Sequence, residues 1–184
     1  MSRNYQYEVM EEIKKRWSPR AFDPNKPLVD EDIYPLIEAA NLAPSAFNSQ
    51  PRRFIVAADP EKRQKVFDAL FEGNQLWTKL VPAFIVILVK AEDDEGRKSR
   101  WTEFDTGTSF GLLSLEAVRR GLHTHAMAGF SPDKIKQNFE LADGLEPIAV
   151  VAVGYYGDKR DLPEKYQAME QPNSRLALSD IIVE

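Results

Sequence analysis

Two arginines and a serine at alternating positions, Arg16-Trp17-Ser18-Pro19-Arg20, put two guanidiniums and a hydroxyl within five residues. Arginine donates hydrogen bonds in pairs and keeps its charge, so this spacing suits one phosphate or carboxylate. A solvated basic turn has the same composition. A second polar run, Ala43-Pro44-Ser45-Ala46-Phe47-Asn48-Ser49-Gln50-Pro51, packs donors and acceptors between prolines. It can read the edge of a heterocycle or cap the preceding helix. A third run, Leu122-His123-Thr124-His125-Ala126-Met127-Ala128-Gly129-Phe130, sets two imidazoles on one face of a strand. The chain holds only those two histidines, and no carboxylate stands at a matching spacing, so no metal is expected. The Ala128-Gly129 step instead lets backbone approach a ligand closely. Gly107, Gly111 and Ser114 form a helix face of small residues, which fits another helix of the chain or a second copy.

These residues need elements to position them. Val9, Met10, Ile13 and Trp17 recur at helical spacing and predict a helix over 7–17, stopped at Ser18-Pro19. Ile33, Leu36, Ile37 and Ala40 predict a second, capped by Asp30 or Asp32, with Pro35 in or just after its first turn and Pro44 beyond its end. Strands are expected over 54–58, 83–89, 122–127 and 148–153, with 83–89 and 148–153 apolar on both faces and therefore central. Asp59-Pro60 and Ser131-Pro132 open helices, and a long helix over 101–120 ends at Gly121. A last short strand is expected over 181–183. Helices come first, then strands and helices mix without regular alternation, which argues an α+β fold. No Gly-x-Gly-x-x-Gly follows a strand, so a dinucleotide-binding Rossmann site is not expected.

Composition narrows the function classes. The 184 residues suffice for one core, so residues 1–184 are read as a single domain. A net charge of -5 argues against a nucleic-acid partner, which needs a basic face. There is no cysteine, which excludes disulfides, thiolate nucleophiles and iron–sulfur clusters. No signal-peptide pattern or membrane-length apolar run is present, so a soluble, cytoplasmic protein without membrane contact is expected. Asp93-Asp94 reads as a solvated charged loop.

In order along the chain, the motifs resemble the nitroreductase family. The resemblance rests on Arg16, Ser18 and Arg20; on Pro44, Ser45, Asn48, Gln50 and Pro51; on Gly73-Asn74; on Gly121, Leu122, Gly129 and Phe130; and on Arg175. It implies an α+β fold with a mixed sheet flanked by helices, a homodimer with an exchanged C-terminal segment, and FMN at the subunit interface. Arg16, Ser18 and Arg175 would hold the phosphate, with Trp17 between them. Arg20 would approach the pyrimidine end of the ring, and Asn74 would hydrogen-bond its edge. Pro44, Ser45, Ala46 and Asn48 would come from the second subunit. The backbone of Ala126, Met127, Ala128 and Gly129 would face the flavin, with one N–H donating to N5.

Three positions depart from the family pattern. Trp77 stands where some members have lysine, Arg52 where the polar loop often continues with tryptophan, and Ala128 where an acidic residue often precedes the glycine. The activity implied is two-electron transfer from NADH or NADPH to an electron-poor small-molecule acceptor by a ping-pong route. No side-chain acid or base is named, although His125 is one group that could supply a proton. The alternative is a flavin-binding carrier or sensor with little turnover.

Overall fold

The computed structural model describes residues 3, 5–92 and 100–183. Asp93 and Asp94 lie outside the described residues. Four strands, β1 (Arg52–Ala57), β2 (Ala83–Lys90), β3 (His123–Met127) and β4 (Leu145–Gly154), form one sheet in the order β1-β2-β4-β3. Every hydrogen-bonded neighbour pair is antiparallel. This corrects the expected mixed sheet. The helix α5 (Thr102–Arg119) links β2 to β3, which run in the same direction, but β4 inserts between them. The crossover that suggests parallel pairing therefore produces none.

Alternation along β2 fills two cores. Phe84, Val86 and Leu88 face one layer with α3 (Pro60–Ala69), α4 (Glu72–Thr78) and α6 (Pro132–Asn138), through Val66, Ala69, Trp77 and Ile135. Ala83, Ile85 and Ile87 face the other, with Ile33, Leu36 and Ala40 of α2 (Asp30–Asn41) and Leu113 and Ala117 of α5. A strand buried on both sides this way contributes about 1.5–3 kcal/mol for each large apolar side chain, which is why 83–89 was legible as central. β4 carries a bulge at Ile148, since Ile87 pairs with Ala149 and Leu88 with Pro147. Pro147, which has no N–H, is tolerated beside such an irregularity.

Helix starts follow their caps. Asp59 and Ser131 accept from the backbone N–H of Lys62 and Lys134, each with proline at the first helical position. In α2 neither expected aspartate is the N-cap. Val29 holds that place, and Asp32 reaches back to accept its N–H at 3.1 Å. Pro35 consequently falls in the second turn, and Arg120 comes to 3.5 Å from the Glu31 carbonyl that a proline cannot serve.

Both chain ends differ from expectation. α1 is only Glu11–Lys15; it lies against α5, but Val9, Met10 and Ile13 are exposed, so the expected apolar face is left uncovered among the described residues. Arg3 donates to the carbonyls of Lys14 (3.4 Å) and Arg16 (2.7 Å) and closes the end of that helix. The expected strand at 181–183 is replaced by a helical turn, α8 (Leu178–Ile181), whose start is set by Asp180 accepting the Ala177 N–H. α4 has no counterpart among the expected elements, because Gly73-Asn74 has turn composition.

The segment after Arg20 is stitched to the end of β4 by Phe22 pairing with Tyr156, Gly157 N–H donating to Ala21 O (3.1 Å) and Asp23 N–H to Tyr155 O (3.0 Å). A Cβ on Gly157 would lie 2.5 Å from the Phe22 carbonyl carbon and 2.6 Å from its oxygen. Backbone cannot yield as a side-chain tip can. Gly157→Ala is expected to destabilise the fold by about 1–3 kcal/mol, read as a lower urea midpoint at an unchanged slope.

Candidate functional site

The Arg16–Arg20 segment leaves α1 in extended conformation, and its backbone is held by groups from distant parts of the chain. Glu170, a buried carboxylate, accepts the N–H of Arg20 at 2.8 Å and of Ala21 at 2.9 Å. His125 on β3 bonds the carbonyl of Pro19 through Nδ1 at 2.8 Å. A carbonyl only accepts, so Nδ1 carries the proton and the ring is the Nδ1–H tautomer. Burial, with Arg20 and Arg16 nearby, pushes His125 down to about 4. It is neutral at neutral pH and is no source of a proton there, contrary to the role left open for it above. Trp17 packs against His123 and Tyr156, with ring centroids 6.4 and 5.7 Å away.

With the backbone held elsewhere, the arginine side chains keep their charge for something else. Arg16 Nη1 lies 3.3 Å from Ser18 Oγ. Burial, and then the nearby Arg3 and Arg175 guanidiniums, lower the Arg16 value. Arg3 and Arg175 both donate to the carbonyl of Asn173, which brings the C-terminal segment to this cluster. Among the described residues none of the three arginines pairs with a carboxylate. Arg16, Ser18 and Arg175 are thus together. Arg3 joins them without any sequence signal, being isolated from the motif in the chain.

Arg20 points another way. Its guanidinium sits 6.0 Å from the Trp77 ring centroid and 5.4 Å from that of Tyr166. A cleft of about 470 Å³ opens here, lined by Arg20, Phe22, Trp77, Lys79 and Leu162 among others. Trp77, where some relatives have lysine, is buried and stacks with Phe22. It also donates from Nε1 to Asn74 Oδ1 at 3.2 Å.

The strand end Ala126–Gly129 lies next to this group. Asn74 Nδ2 donates to the Gly129 carbonyl at 2.9 Å, and the Phe71 N–H donates to it at 3.0 Å. A Cβ at position 129 would meet Asn74 Nδ2 at 2.7 Å, so any larger residue there would have to displace the asparagine side chain. Ala128 is exposed, Met127 is buried in the core, and the N–H groups of Ala128 and Gly129 donate to no protein acceptor among the described residues. Two open backbone donors beside a cation are a suitable edge for a polar ring.

The polar loop is built separately. Ser45 Oγ accepts the Gln50 N–H at 3.0 Å, and Asp105 of α5, 6% exposed, accepts the Ala46 N–H at 2.9 Å. Phe47, Asn48 and Gln50 all have positive φ (52°, 57° and 45°), an uncommon backbone for residues other than glycine. Arg52 is buried below the loop and donates to the Asn41 carbonyl at the end of α2. Burial lowers its value, while Asp105 opposes that. Among the described residues no hydrogen bond or ion pair joins Pro44, Ser45, Ala46 or Asn48 to the Arg16–Arg20 segment. The structure therefore brings together two groups, not one: arginine cluster, Arg20, Asn74 and the strand end on one side, the loop on the other.

The Nitroreductase family model matches residues 13–78 and 73–155. Among solved structures, an oxidoreductase containing FMN is 34% identical with a TM-score of 0.92, covering 99% of this chain and 94% of that one. A nitroreductase family protein from Clostridium difficile 630 is 26% identical, with a TM-score of 0.74 and coverage of 96% and 98%. The major NAD(P)H-flavin oxidoreductase of Aliivibrio fischeri is 23% identical over 216 residues, covering 95% of this chain and 97% of that protein. Among the described residues no helix is long and apolar enough to cross a membrane. The family match spans the arginine segment, the polar loop, Asn74 and the Gly129 turn together: the chain belongs to the nitroreductase family of oxidoreductases.

Proposed function

We propose that the chain is an FMN-dependent oxidoreductase that passes hydride from NADH or NADPH to an electron-poor acceptor, such as a nitroaromatic, quinone, enone or aldehyde, by a ping-pong route. The observation that carries this reading is the Arg3, Arg16 and Arg175 cluster beside Ser18, which has no carboxylate among the described residues to offset it. A phosphate dianion relieves that repulsion and takes up the paired donors. The residues present fit the rest of FMN as well, with the open N–H groups of Ala128 and Gly129 for the ring and Arg20 for its pyrimidine end.

When bound, FMN supplies the two-electron chemistry, and the chain supplies binding, orientation and electrostatics. Arg16, Ser18 and Arg175 hold the phosphate, with Arg3 as a further cation, while Trp17 packs on His123 and Tyr156. Solvent supplies the second proton, because His125 is neutral at working pH. The absence of a Rossmann fingerprint fits a donor that docks at the same place as the acceptor.

The reading includes a homodimer with an exchanged C-terminal segment, in which Pro44, Ser45, Ala46 and Asn48 of one subunit complete the site of the other. Three features support it. Gly107 and Gly111 are exposed, and a Cβ on either would meet nothing. Met10, Ile13, Leu42, Phe47 and Phe104 are exposed. Leu176, Ile181, Ile182 and Val183 of the C-terminal segment are exposed too. Apolar surface on this scale marks an interface.

The purified protein is expected to be yellow and to release about one FMN per chain on denaturation, and light scattering at micromolar concentration should give twice the chain mass. A monomer that holds FMN tightly would overturn the shared site. Arg16→Ala and Arg175→Ala should each weaken FMN binding by roughly 2–4 kcal/mol and leave riboflavin binding nearly unchanged; equal losses for both ligands would assign these arginines to folding.

Arg20→Ala should lower the midpoint potential of bound FMN. The cation favours the more negative, reduced form, and roughly 1–2 kcal/mol at an open site corresponds to roughly 20–45 mV for two electrons. Arg16→Ala should move the potential much less, and spectroelectrochemical titration of the two proteins decides which arginine serves the ring. Steady-state oxidation of NADH and NADPH with a panel of acceptors tests the activity itself, and binding without turnover would favour a carrier.

A further inference from the structure

Trp77 and Asn74 stand three residues apart on α4, so both side chains lie on the same helix face. The amide of asparagine is nearly symmetric in shape and can be turned either way. Here both of its neighbours are one-way groups: an indole N–H only donates, and a carbonyl only accepts. Trp77 Nε1–H therefore selects Oδ1, at 3.2 Å, and the Gly129 carbonyl selects Nδ2, at 2.9 Å. The amide has one orientation, and its second Nδ2 hydrogen is left over.

The indole is itself firmly placed. It is 4% exposed, stacks with Phe22 at 6.4 Å and 21°, and meets the His125 ring at 4.6 Å. His125 in turn bonds the Pro19 carbonyl, so one chain of contacts runs from the arginine segment through Trp77 to the Gly129 backbone. At the far end, the amide occupies the space a Cβ would need at Gly129. The next two N–H groups back along the chain from Phe130 are those with no protein acceptor among the described residues.

We propose that Trp77 is a positioning residue that locks Asn74 with an amide hydrogen as its outward donor, so that Asn74 gives a hydrogen bond to a carbonyl oxygen at the flavin ring edge and steadies the Gly129 backbone beside it. This rests on the FMN reading above.

Trp77→Phe keeps an aromatic ring in the stack and deletes the N–H. In the FMN-loaded protein it should weaken FMN and riboflavin alike by about fivefold, the worth of one neutral hydrogen bond. The flavin carbonyl stretching bands, read by infrared difference spectroscopy with carbon-13 labelled FMN, should move back toward those of free FMN. Asn74→Leu keeps Trp77 and removes the donor. It should move the same band in the same direction and shift the Trp77 indole N–H resonance. Carbonyl bands and affinities unchanged in Trp77→Phe, or a band unmoved in Asn74→Leu, overturn the proposal while leaving the FMN reading intact. A wild-type protein that takes up no FMN overturns both.

Discussion

Like charges are held close together here with no carboxylate paired to them among the described residues. Arg3, Arg16 and Arg175 gather beside Ser18, and the fold meets the cost with bonds made elsewhere on the same segment. Glu170 takes the backbone of Arg20 and Ala21, His125 takes Pro19, and the Phe22–Tyr156 bridge ties the exit to β4. Glu170 and His125 hold the main chain from Pro19 to Ala21 without engaging a guanidinium, whereas Arg3 spends donors of its own on the carbonyls of Lys14, Arg16 and Asn173.

The sheet supplies the frame for that arrangement. β3 delivers His125 to the arginine segment and ends at the Gly129 turn, while α4 delivers Trp77 and Asn74 to the same place from the opposite side of the sequence. The polar loop follows a different logic. Its positive-φ residues are tolerated because a buried carboxylate, Asp105, grips the Ala46 N–H and Ser45 grips Gln50. The loop is shaped within the chain and presents Phe47 fully to the outside.

Features governed by local chemistry could be read from the residues alone. The Asp59-Pro60 and Ser131-Pro132 helix starts, the long helix before Gly121, and the buried central strand each follow from short-range patterns. The arginine–serine spacing is legible in the sequence, but the cations gathered beside it are remote in the chain: Arg175 entered through family resemblance, and Arg3 carried no signal. The mixed sheet came from the resemblance and not from the residues; β2 and β3 do run in the same direction, but β4 lies between them and every pairing is antiparallel. α4 was hidden by Gly73-Asn74, whose asparagine is committed to Trp77 and Gly129 rather than to a turn. The helical pattern at 7–17 has Val9, Met10 and Ile13 uncovered among the described residues, and only Glu11–Lys15 is helical.

The insertion of β4 between β2 and β3 also governs the order of events during synthesis. Until residues 145–154 have emerged, β2 has β1 on one edge and no neighbour on the other, and β3 has no strand to join at all. The nascent chain therefore carries its most apolar strand with an open edge through the making of some fifty further residues, an exposure that invites pairing with other chains. The same delay withholds β3, and with it His125 and the Gly129 turn, so the support of the Arg16–Arg20 segment is complete only with closure of the sheet.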